Sequence, residues 1–466
     1  MARGKKKEAL TPEERLQAAL VPDWEQPYKV PENWCWVKLS SLSQVISKGT
    51  TPKGGKSAYS DHGVKFLRVE NINDDGTISH ENIAYVSEEV HCTFLKRSIL
   101  EENDILVSIA GTLGKTGIVR SVDLPMNTNQ AVAFVRIALD KINRRYIKNA
   151  IDNPVIQNLL LGKTKVTSIP NFTLEIIGEC PIPLPPFAEQ QRIVDRIESL
   201  FAKLDEAKQK AQDALDSFET RKAAILHKAF TGELTAQWRK EHGVRMESWK
   251  NTALQDVCEK IVCGKTPTGS IQPTGEIPYL KVYNIVYNNI DFKSTPQFIP
   301  KEIHEGKLKS SILKPNDVVM NIVGPPLRKI AIIPDDYPEW NMNQAIVRFR
   351  PHAPLQYRFL YYALINPKTL DDVISETKGV VGQANISVTQ SRNLIIPLPS
   401  ANEQTEIVRI LDDLLAKEQQ AKEAAEAVLE QIDLIKKSIL ARAFRGELGT
   451  NDPTEESAVG LVRNII

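Results

Sequence analysis

Cysteine and metal-ligand patterns are scarce in this sequence. Its 466 residues include five cysteines, an odd number, at scattered positions. No Cys-x-x-Cys pair is present, and no Cys/His quartet has the spacing of zinc ligands. The sequence therefore predicts neither a disulfide framework nor a zinc site.

An excess of charge of one sign and long apolar runs are also missing. The chain has 59 basic and 58 acidic residues, so any basic surface for a polyanion has to be local. The basic residues at positions 3 and 5–7 are not followed by the apolar stretch of a signal peptide. No apolar run approaches the length of a transmembrane helix. We therefore expect a soluble, cytoplasmic protein without a membrane partner.

Catalytic motifs are incomplete wherever they begin. Gly-Lys-Thr occurs three times, but the glycine that a phosphate-binding loop needs five residues earlier is replaced by Ile109, Gln157 and Glu259. A methyltransferase needs a glycine-rich loop for its methyl donor and an Asn/Asp-Pro-Pro-aromatic motif, and the nearest match is Gly324-Pro-Pro-Leu327. We predict no catalytic residues, no metal and no cofactor bound by this chain.

A long helical pattern is present and occurs twice. After Pro183-Leu-Pro-Pro186, apolar or small residues recur in steps of four and three from Ile193 to Ile225, a heptad a/d seam that Arg221 interrupts. An offset of 214 residues reproduces the seam without a gap, and Glu418 is its polar exception. The second seam consists of Ile407, Leu411, Leu414, Ala421, Ala425, Val428, Ile432 and Ile439. Equal length and small side chains predict that the two helices pair with each other, against the alternative of two separate cores.

The segment before each helix is repeated as well. Gly49-Thr-Thr-Pro52 recurs as Gly264-Lys-Thr-Pro267, and Asn129-Gln-Ala131 recurs as Asn343-Gln-Ala345. Short β-type runs at 64–69, 105–109 and 131–137 and one helix at 142–161 predict an α+β domain dominated by antiparallel sheet. The fold class is therefore a tandem duplication of two mixed α/β domains separated by two long spacer helices.

The predicted boundaries follow this repeat. They are an N-terminal extension at 1–30, a first domain at 31–184, a first spacer helix at 185–235, a linker at 236–247, a second domain at 248–398, a second spacer helix at 399–449 and a C-terminal tail at 450–466.

Polar and basic residues gather at turns in both domains. Lys and Arg suit phosphate oxygens and guanine edges, while Asn and Gln suit adenine edges. We predict that they bind DNA, against the alternative that each is a solvated surface residue. In the first domain they are Lys48, Thr50, Thr51, Lys53, Lys56, Arg68, Lys115, Lys163, Lys165 and Thr167. In the second they are Lys265, Thr266, Thr268, Lys281, Asn284, Arg328, Lys329, Lys378, Gln383 and Asn385.

Both spacers start with Pro-Leu-Pro followed by Glu-Gln, and both end with Lys/Arg-Ala-Phe-x-Gly-Glu-Leu, at 228–234 and 442–448. The first continues as Leu234-Thr-Ala-Gln-Trp-Arg239, whereas the second departs from this pattern with Leu448-Gly-Thr450. In these motifs the chain resembles the specificity subunit of a type I restriction-modification system.

The resemblance implies a non-catalytic subunit with two target-recognition domains, each recognising one half of a bipartite site in double-stranded DNA. It implies that the spacers set the distance between the half-sites and dock two modification subunits, which use S-adenosylmethionine to methylate adenine. Restriction subunits, a helicase-nuclease, would join them, with ATP and Mg on the partners. With a short link between the copies, we expect an antiparallel helix pair.

Two other classes stay open from the residues alone. One is a self-sufficient DNA methyltransferase or nuclease, which needs a donor or metal site. The other is a coiled-coil scaffold without DNA specificity.

Overall fold

The computed structural model of the protein describes residues 10–52, 54, 59–137, 140–164, 170–377 and 385–465. The chain divides into two compact units. One contains the chain up to Lys210 and again from Val428, and the other runs from Ala211 to Ala427. Each unit therefore contains one of the repeated domains together with part of both spacers.

The domain of the first unit is built on three small sheets. Their strand orders are β2-β8-β5-β6, β4-β3-β7 and β1-β9, and all pairs are antiparallel except β3 with β7. The strands are β1 (Cys35–Lys38), β2 (Ser43–Lys48), β3 (Val64–Leu67), β4 (Ala84–Val86), β5 (Ile105–Ser108), β6 (Thr116–Ile118), β7 (Met126–Thr128), β8 (Val132–Ile137) and β9 (Pro181–Leu184).

The domain of the second unit repeats this topology. Its sheets have the orders β11-β19-β16-β17, β15-β12-β18 and β10-β20, and a short hairpin, β13-β14, is added. The matching orders confirm the tandem duplication. The strands are β10 (Lys250–Ala253), β11 (Val262–Cys263), β12 (Ile277–Leu280), β13 (Ile285–Val286), β14 (Asn289–Ile290), β15 (Phe298–Ile299), β16 (Val318–Asn321), β17 (Ile330–Ile332), β18 (Asn341–Met342), β19 (Ile346–Phe349) and β20 (Ile395–Leu398).

The helices surround these sheets and form the spacers. The predicted helix at 142–161 is two helices, because Pro154 lacks an N–H and Asn153 caps the second one through the Val155 N–H at 3.1 Å. The helices are α1 (Pro12–Ala19), α2 (Leu39–Leu42), α3 (Glu88–Cys92), α4 (Arg144–Asp152), α5 (Pro154–Gly162), α6 (Leu174–Gly178), α7 (Phe187–Asp216), α8 (Phe218–Phe230), α9 (Ala236–His242), α10 (Leu254–Val257), α11 (Lys301–Glu305), α12 (Tyr357–Ile365), α13 (Pro367–Thr377), α14 (Val388–Arg392), α15 (Ala401–Ala443) and α16 (Ala458–Arg463).

The central strands are buried on both faces. In β8, Ala133 and Val135 belong to the core beneath the spacer, whereas Val132 and Phe134 belong to a second core against β3 and β7. Successive side chains of a strand point to opposite faces, so one strand supplies both cores. This explains why the sequence shows continuous apolar runs at these strands instead of alternation.

The two long helices pair in opposite directions, as predicted. In the first unit, Lys436 Nζ lies 2.6 Å from Asp205 Oδ1 and 5.1 Å from the ring centre of Phe201. In the second unit, Lys422 Nζ lies 5.0 Å from the ring centre of Phe218. Positions that rise along the first spacer thus meet positions that fall along α15, and the pair is an antiparallel coiled coil.

The first spacer is not the single continuous helix that the sequence predicted, since α7 and α8 are separated at Ser217. Ser217 Oγ donates a hydrogen bond to Asp213 O at 2.7 Å, and Arg221 Nη1 donates to Ala214 O at 3.1 Å. Side chains thereby occupy carbonyl groups of the preceding turn, a known cause of helix bending.

The two polar exceptions to the seam contact each other. Arg221 Nε lies 2.8 Å from Glu418 Oε2, and the two side chains are 36% and 22% exposed. A shift of one helix along the other would leave each charge facing an apolar seam. The pair therefore favours this register over its neighbours.

Two predicted seam positions are not buried. Ala421 is exposed and Val428 is 40% exposed, whereas Ala425 and Ile432 are buried. A straight helix drifts by about 20° per heptad against a strict seven-residue pattern, so alternate seam positions turn outward. The prediction was wrong for Ala421 and Val428.

The Glu-Gln pair at the start of each spacer joins it to its domain. In the first unit, Trp34 Nε1 donates to Glu189 Oε2 at 2.8 Å, and Thr450 Oγ1 donates to the other oxygen at 3.3 Å. Gln190 Oε1 accepts the Asn143 N–H at 2.9 Å. Burial raises the pKa of the Glu189 carboxyl, and the hydrogen bond from Trp34 opposes this rise.

The second unit builds the same junction with a buried cation. Trp249 Nε1 donates to Glu403 Oε2 at 2.9 Å, and Thr235 Oγ1 donates to Oε1 at 2.8 Å. Arg239 Nη1 also reaches Oε1, at 2.6 Å, and its side chain is only 10% exposed. Thr235 and Arg239 belong to the motif that the end of the second spacer lacks, which explains why the two junctions differ.

Candidate nucleic-acid interface

Two repeated motifs meet at one edge of the first domain. A Cβ atom built on Gly49 would lie 2.1 Å from Thr128 O, so only glycine fits this close approach. The Thr50 N–H donates to the same carbonyl at 3.1 Å. The side chains of Thr51 and Gln130 form a hydrogen bond. The Gly-x-Thr-Pro turn is thereby fixed against the loop that follows β7.

The second domain contains the same contact. A Cβ atom on Gly264 would lie 2.1 Å from Met342 O, and the Lys265 N–H donates to that carbonyl at 3.3 Å. The side chains of Thr266 and Gln344 form a hydrogen bond. The sequence search missed Gln130 and Gln344, although their place in the repeated Asn-Gln-Ala motif was a signal that could have found them.

The turn after β3 joins this edge and recurs after β12. The Arg68 N–H donates to Asn71 Oδ1 at 3.0 Å, and the Asn71 N–H returns a bond to Arg68 O at 2.9 Å. In the second domain, the two bonds between Lys281 and Asn284 are also 3.0 and 2.9 Å long. The preceding residue is bonded to the loop after β7 or β18, since Leu67 O accepts from the Asn129 N–H and Leu280 O from that of Asn343.

We call these segments the loop edge of each domain. The loop edge comprises residues 48–52, 67–71 and 128–131 in the first domain, and residues 263–268, 280–284 and 342–345 in the second. It brings together the predicted residues Lys48, Thr50, Thr51, Arg68, Lys265, Thr266, Thr268 and Lys281.

Asn284 belongs to the scaffold of the loop edge and does not contact solvent. Its side chain is fully buried, and its amide donates to Asp291 O at 3.3 Å and to Thr295 O at 3.2 Å. The prediction that Asn284 contacts DNA is therefore corrected, because every polar group of this side chain already has a partner within the domain.

Two predicted lysines support the turn from a neighbouring hairpin. Lys115 Nζ lies 3.2 Å from Ile72 O and 2.8 Å from Asp74 Oδ1. Lys329 Nζ lies 3.4 Å from Val282 O at the equivalent place. These lysines are adjacent to the loop edge, but their ammonium groups are engaged with the protein.

The remaining predicted residues divide into three groups. Arg328 pairs with Asp371 at 2.5 Å and donates to Pro367 O at 3.1 Å, so its guanidinium is directed at α13. Lys163 is exposed at the end of α5, and no contact joins it to the loop edge within the described residues, while Asn385 is exposed and bridges to Val323. Lys53, Lys56, Lys165, Thr167, Lys378 and Gln383 lie outside the described residues.

The exposed cations of the loop edge are available for a polyanion. Lys48 and Lys265 are exposed, and neither forms an ion pair within the described part of the chain. Among the described residues, no group of three or more His, Cys, Asp or Glu side chains is arranged to hold a metal ion. None of the described helices is long and apolar enough to cross a membrane.

Two copies of one fold, each with a polar loop edge and a shared pair of spacer helices, define a tandem recognition protein. The family described as "Type I restriction modification DNA specificity domain" matches the chain twice, at residues 31–215 and 246–431. The chain belongs to this family, whose members confer DNA specificity and do not catalyse the reaction.

Individual relatives are similar over nearly the whole chain. The type I restriction enzyme EcoBI specificity subunit of Escherichia coli is 23% identical over 90% of this chain and 87% of its own length. The MjaVIII specificity subunit of Methanocaldococcus jannaschii is 25% identical over 90% and 94%. The structure of the HsdS subunit from Thermoanaerobacter tengcongensis has a TM-score of 0.64 at 20% identity, covering 91% of this chain and 100% of that one.

Proposed function

We propose that each domain of this specificity subunit recognises one half of a bipartite site in double-stranded DNA through its loop edge. The observation that carries this proposal is the pairing of one scaffold with two sets of exposed residues. Gly49 and Gly264 make the same backbone approach, yet the next residue is Thr50 in one domain and Lys265 in the other. A scaffold that is kept while its exposed residues differ suits two related recognition tasks.

Exchange of the first domain tests this proposal. Residues 31–184 are replaced by the matching segment of a relative, and methylated adenines are mapped genome-wide in cells that also produce the partner methyltransferase. We expect one half of the methylated motif to change and the other half to stay. A motif in which both halves change together, or no sequence preference in the natural protein, would contradict the proposal.

We further propose that the spacers set the gap between the half-sites. Four residues inserted near Ala211 add about 6 Å of helix, against 3.4 Å per base-pair step of B-DNA. The preferred gap should then grow by one or two base pairs while the bases within each half-site stay the same. An active variant with the original gap would show that the helices do not determine it.

The spacers also supply a surface for partner subunits. On α15, Leu434 and Ile435 are 64% and 42% exposed and lie near the exposed Val428. Single exposed apolar residues are ordinary, but three within two helical turns are typical of a protein contact. We propose that two modification subunits dock on the spacers and that restriction subunits join them in the cytoplasm. S-adenosylmethionine, ATP and Mg then belong to the partners.

Co-purification with the partner methyltransferase checks this docking. Leu434→Glu with Ile435→Glu should reduce the amount of methyltransferase recovered, whereas Lys437→Gln on the same helix should not. Equal recovery with all variants would place the partner elsewhere.

A further inference from the structure

The turn after β3 and β12 presents a different middle residue in each domain. This residue is Glu70 in the first domain, with a side chain 65% exposed, and Tyr283 in the second, 44% exposed. The asparagine that follows is buried in both copies, at positions 71 and 284. The turn thus has a fixed internal half and a variable outward half.

Each middle residue is held by the cation that precedes it. Arg68 Nη2 lies 2.9 Å from Glu70 Oε1, whereas Lys281 Nζ lies 5.9 Å from the ring centre of Tyr283. The side chains are therefore oriented before any ligand binds. Such orientation lowers the conformational entropy that is lost when a surface side chain contacts a partner.

These residues lie at the loop edge and not at a remote surface. Tyr279, on the strand before the turn, donates its hydroxyl hydrogen to Lys265 O at 2.8 Å. Tyr283 is near enough to Tyr279 for the two phenols to interact electrostatically. In the first domain, Leu67 directly precedes Arg68 and is bonded to Asn129. Both turns therefore adjoin the Gly-x-Thr-Pro segment of their own domain.

Folding does not account for these side chains. An exposed ion pair such as Arg68 with Glu70 contributes little to stability, and so does an exposed contact between a lysine and an aromatic ring. A carboxylate also repels phosphates, so Glu70 is a poor group for binding the DNA backbone. It is suited to accept a hydrogen bond from the amino group of cytosine or adenine.

The two residues differ in what they can distinguish. Glu70 presents acceptors only, and Arg68 beside it presents donors that match guanine. Tyr283 presents a hydroxyl that donates and accepts, on a ring that can contact the methyl group of thymine. Chemistry of this kind contacts base edges, whereas Lys48 and Lys265 are suited to phosphates.

We propose that Glu70 and Tyr283 are specificity-determining residues that contact bases, each in the half-site recognised by its own domain, with Arg68 and Lys281 as their positioning residues. This inference rests on the proposed function of the loop edges. It adds that a carboxylate and a phenol, and not only the cations, determine which bases are accepted.

The test uses the full chain in complex with its methyltransferase partner. The methylated motif is first mapped for the natural protein, and duplexes with single-base changes at every position of both half-sites are then methylated in vitro. Tyr283→Phe keeps the ring and removes the hydroxyl, and Glu70→Gln keeps the shape and exchanges one acceptor for a donor. Tyr287→Ala removes an even more exposed tyrosine of the second domain, 91% exposed, and serves as the control.

We expect Tyr283→Phe and Tyr283→Ala to reduce discrimination at one or two adjacent positions of one half-site by roughly ten- to a hundredfold. Glu70→Gln should do so in the other half-site only, and Tyr287→Ala should leave both profiles unchanged. Thermal unfolding of each variant shows whether it is folded.

Three outcomes would overturn the inference. They are an unchanged base profile in a folded Tyr283→Ala variant, a uniform loss of rate on all duplexes, and a changed profile in both half-sites. A natural protein without base preference at any position would instead refute the proposed function itself, so the two failures are distinguishable.

Discussion

The buried carboxylate at the start of each spacer gives a matched pair of substitutions with opposite expected costs. Glu403 accepts hydrogen bonds from Trp249, Thr235 and Arg239, and its side chain is fully buried. Glu189 accepts from Trp34 and Thr450 and is also fully buried. Within the described residues, Glu189 has no ion pair of its own, because Arg192 forms two bonds of 2.8 Å to Glu455.

Glu403→Gln removes the charge that compensates the Arg239 guanidinium. Breaking a buried ion pair on one side costs about 3–5 kcal/mol, because an unpaired charge is left in the interior. Glu189→Gln removes a buried charge without leaving a cation unpaired, and the glutamine can still accept from Trp34. Its cost should be no more than that of one altered hydrogen bond, about 1 kcal/mol.

Hydrogen–deuterium exchange resolved by peptide measures the two junctions separately. Glu403→Gln should speed exchange in α9 and at the start of α15, whereas Glu189→Gln should change exchange at the start of α7 only slightly. Adding Arg239→Met to Glu403→Gln should restore part of the protection, since both charges are then gone. Equal loss of protection in both single variants would refute the argument, and so would a larger loss for Glu189→Gln.

The same pair predicts a pH dependence. Burial raises the folded-state pKa of Glu189 above its ordinary value, so the folded state binds this proton more tightly than the unfolded chain. Its contribution to stability therefore grows as the pH falls through the raised pKa, and it levels off below the ordinary glutamate pKa. Glu189→Gln should flatten this part of the pH profile at the start of α7.

Three further outcomes are expected. Gly49→Ala should weaken DNA binding and destabilise the first domain by about 1–3 kcal/mol in chemical denaturation, because the new Cβ meets a carbonyl at 2.1 Å, whereas Gly162→Ala, which has open space around it, should have little effect. Arg221→Glu and Glu418→Arg should each lower the melting temperature, and the double exchange should recover most of the loss if the pair favours the register. Alkylation at neutral pH should label Cys92 first, since burial raises the pKa of three other thiols to about 12 and slows their reaction, and peptide mass spectrometry gives the order.

The duplication was predictable because it is written in spacing. Gapless repetition of the seam and of short turn motifs predicts two copies of one fold, and the strand orders confirm it. The break at Ser217 was not predictable from that pattern. It depends on side-chain hydrogen bonds to individual carbonyls, which heptad spacing does not record.

The candidate site was predictable in part, for a related reason. Residue type points to cations and amides, and Lys48 and Lys265 are indeed exposed at the loop edge. The same criterion selected Asn284, whose amide is consumed inside the turn, and passed over Tyr283 beside it. Which neighbour faces outward is decided by the hydrogen bonds of the turn, and one sequence does not reveal that choice.

The polar exceptions of the seam show what such departures can mean. Taken separately, Arg221 and Glu418 each weaken the prediction of a coiled coil, because a charge at an a or d position costs stability. In an antiparallel pair the two positions face each other, and the Nε to Oε2 distance of 2.8 Å satisfies both charges. The two interruptions therefore contain information on direction that the apolar positions lack, because an apolar seam is compatible with either orientation. Only opposite directions of the helices bring these two residues together, so the exceptions support the pairing more strongly than the matches do.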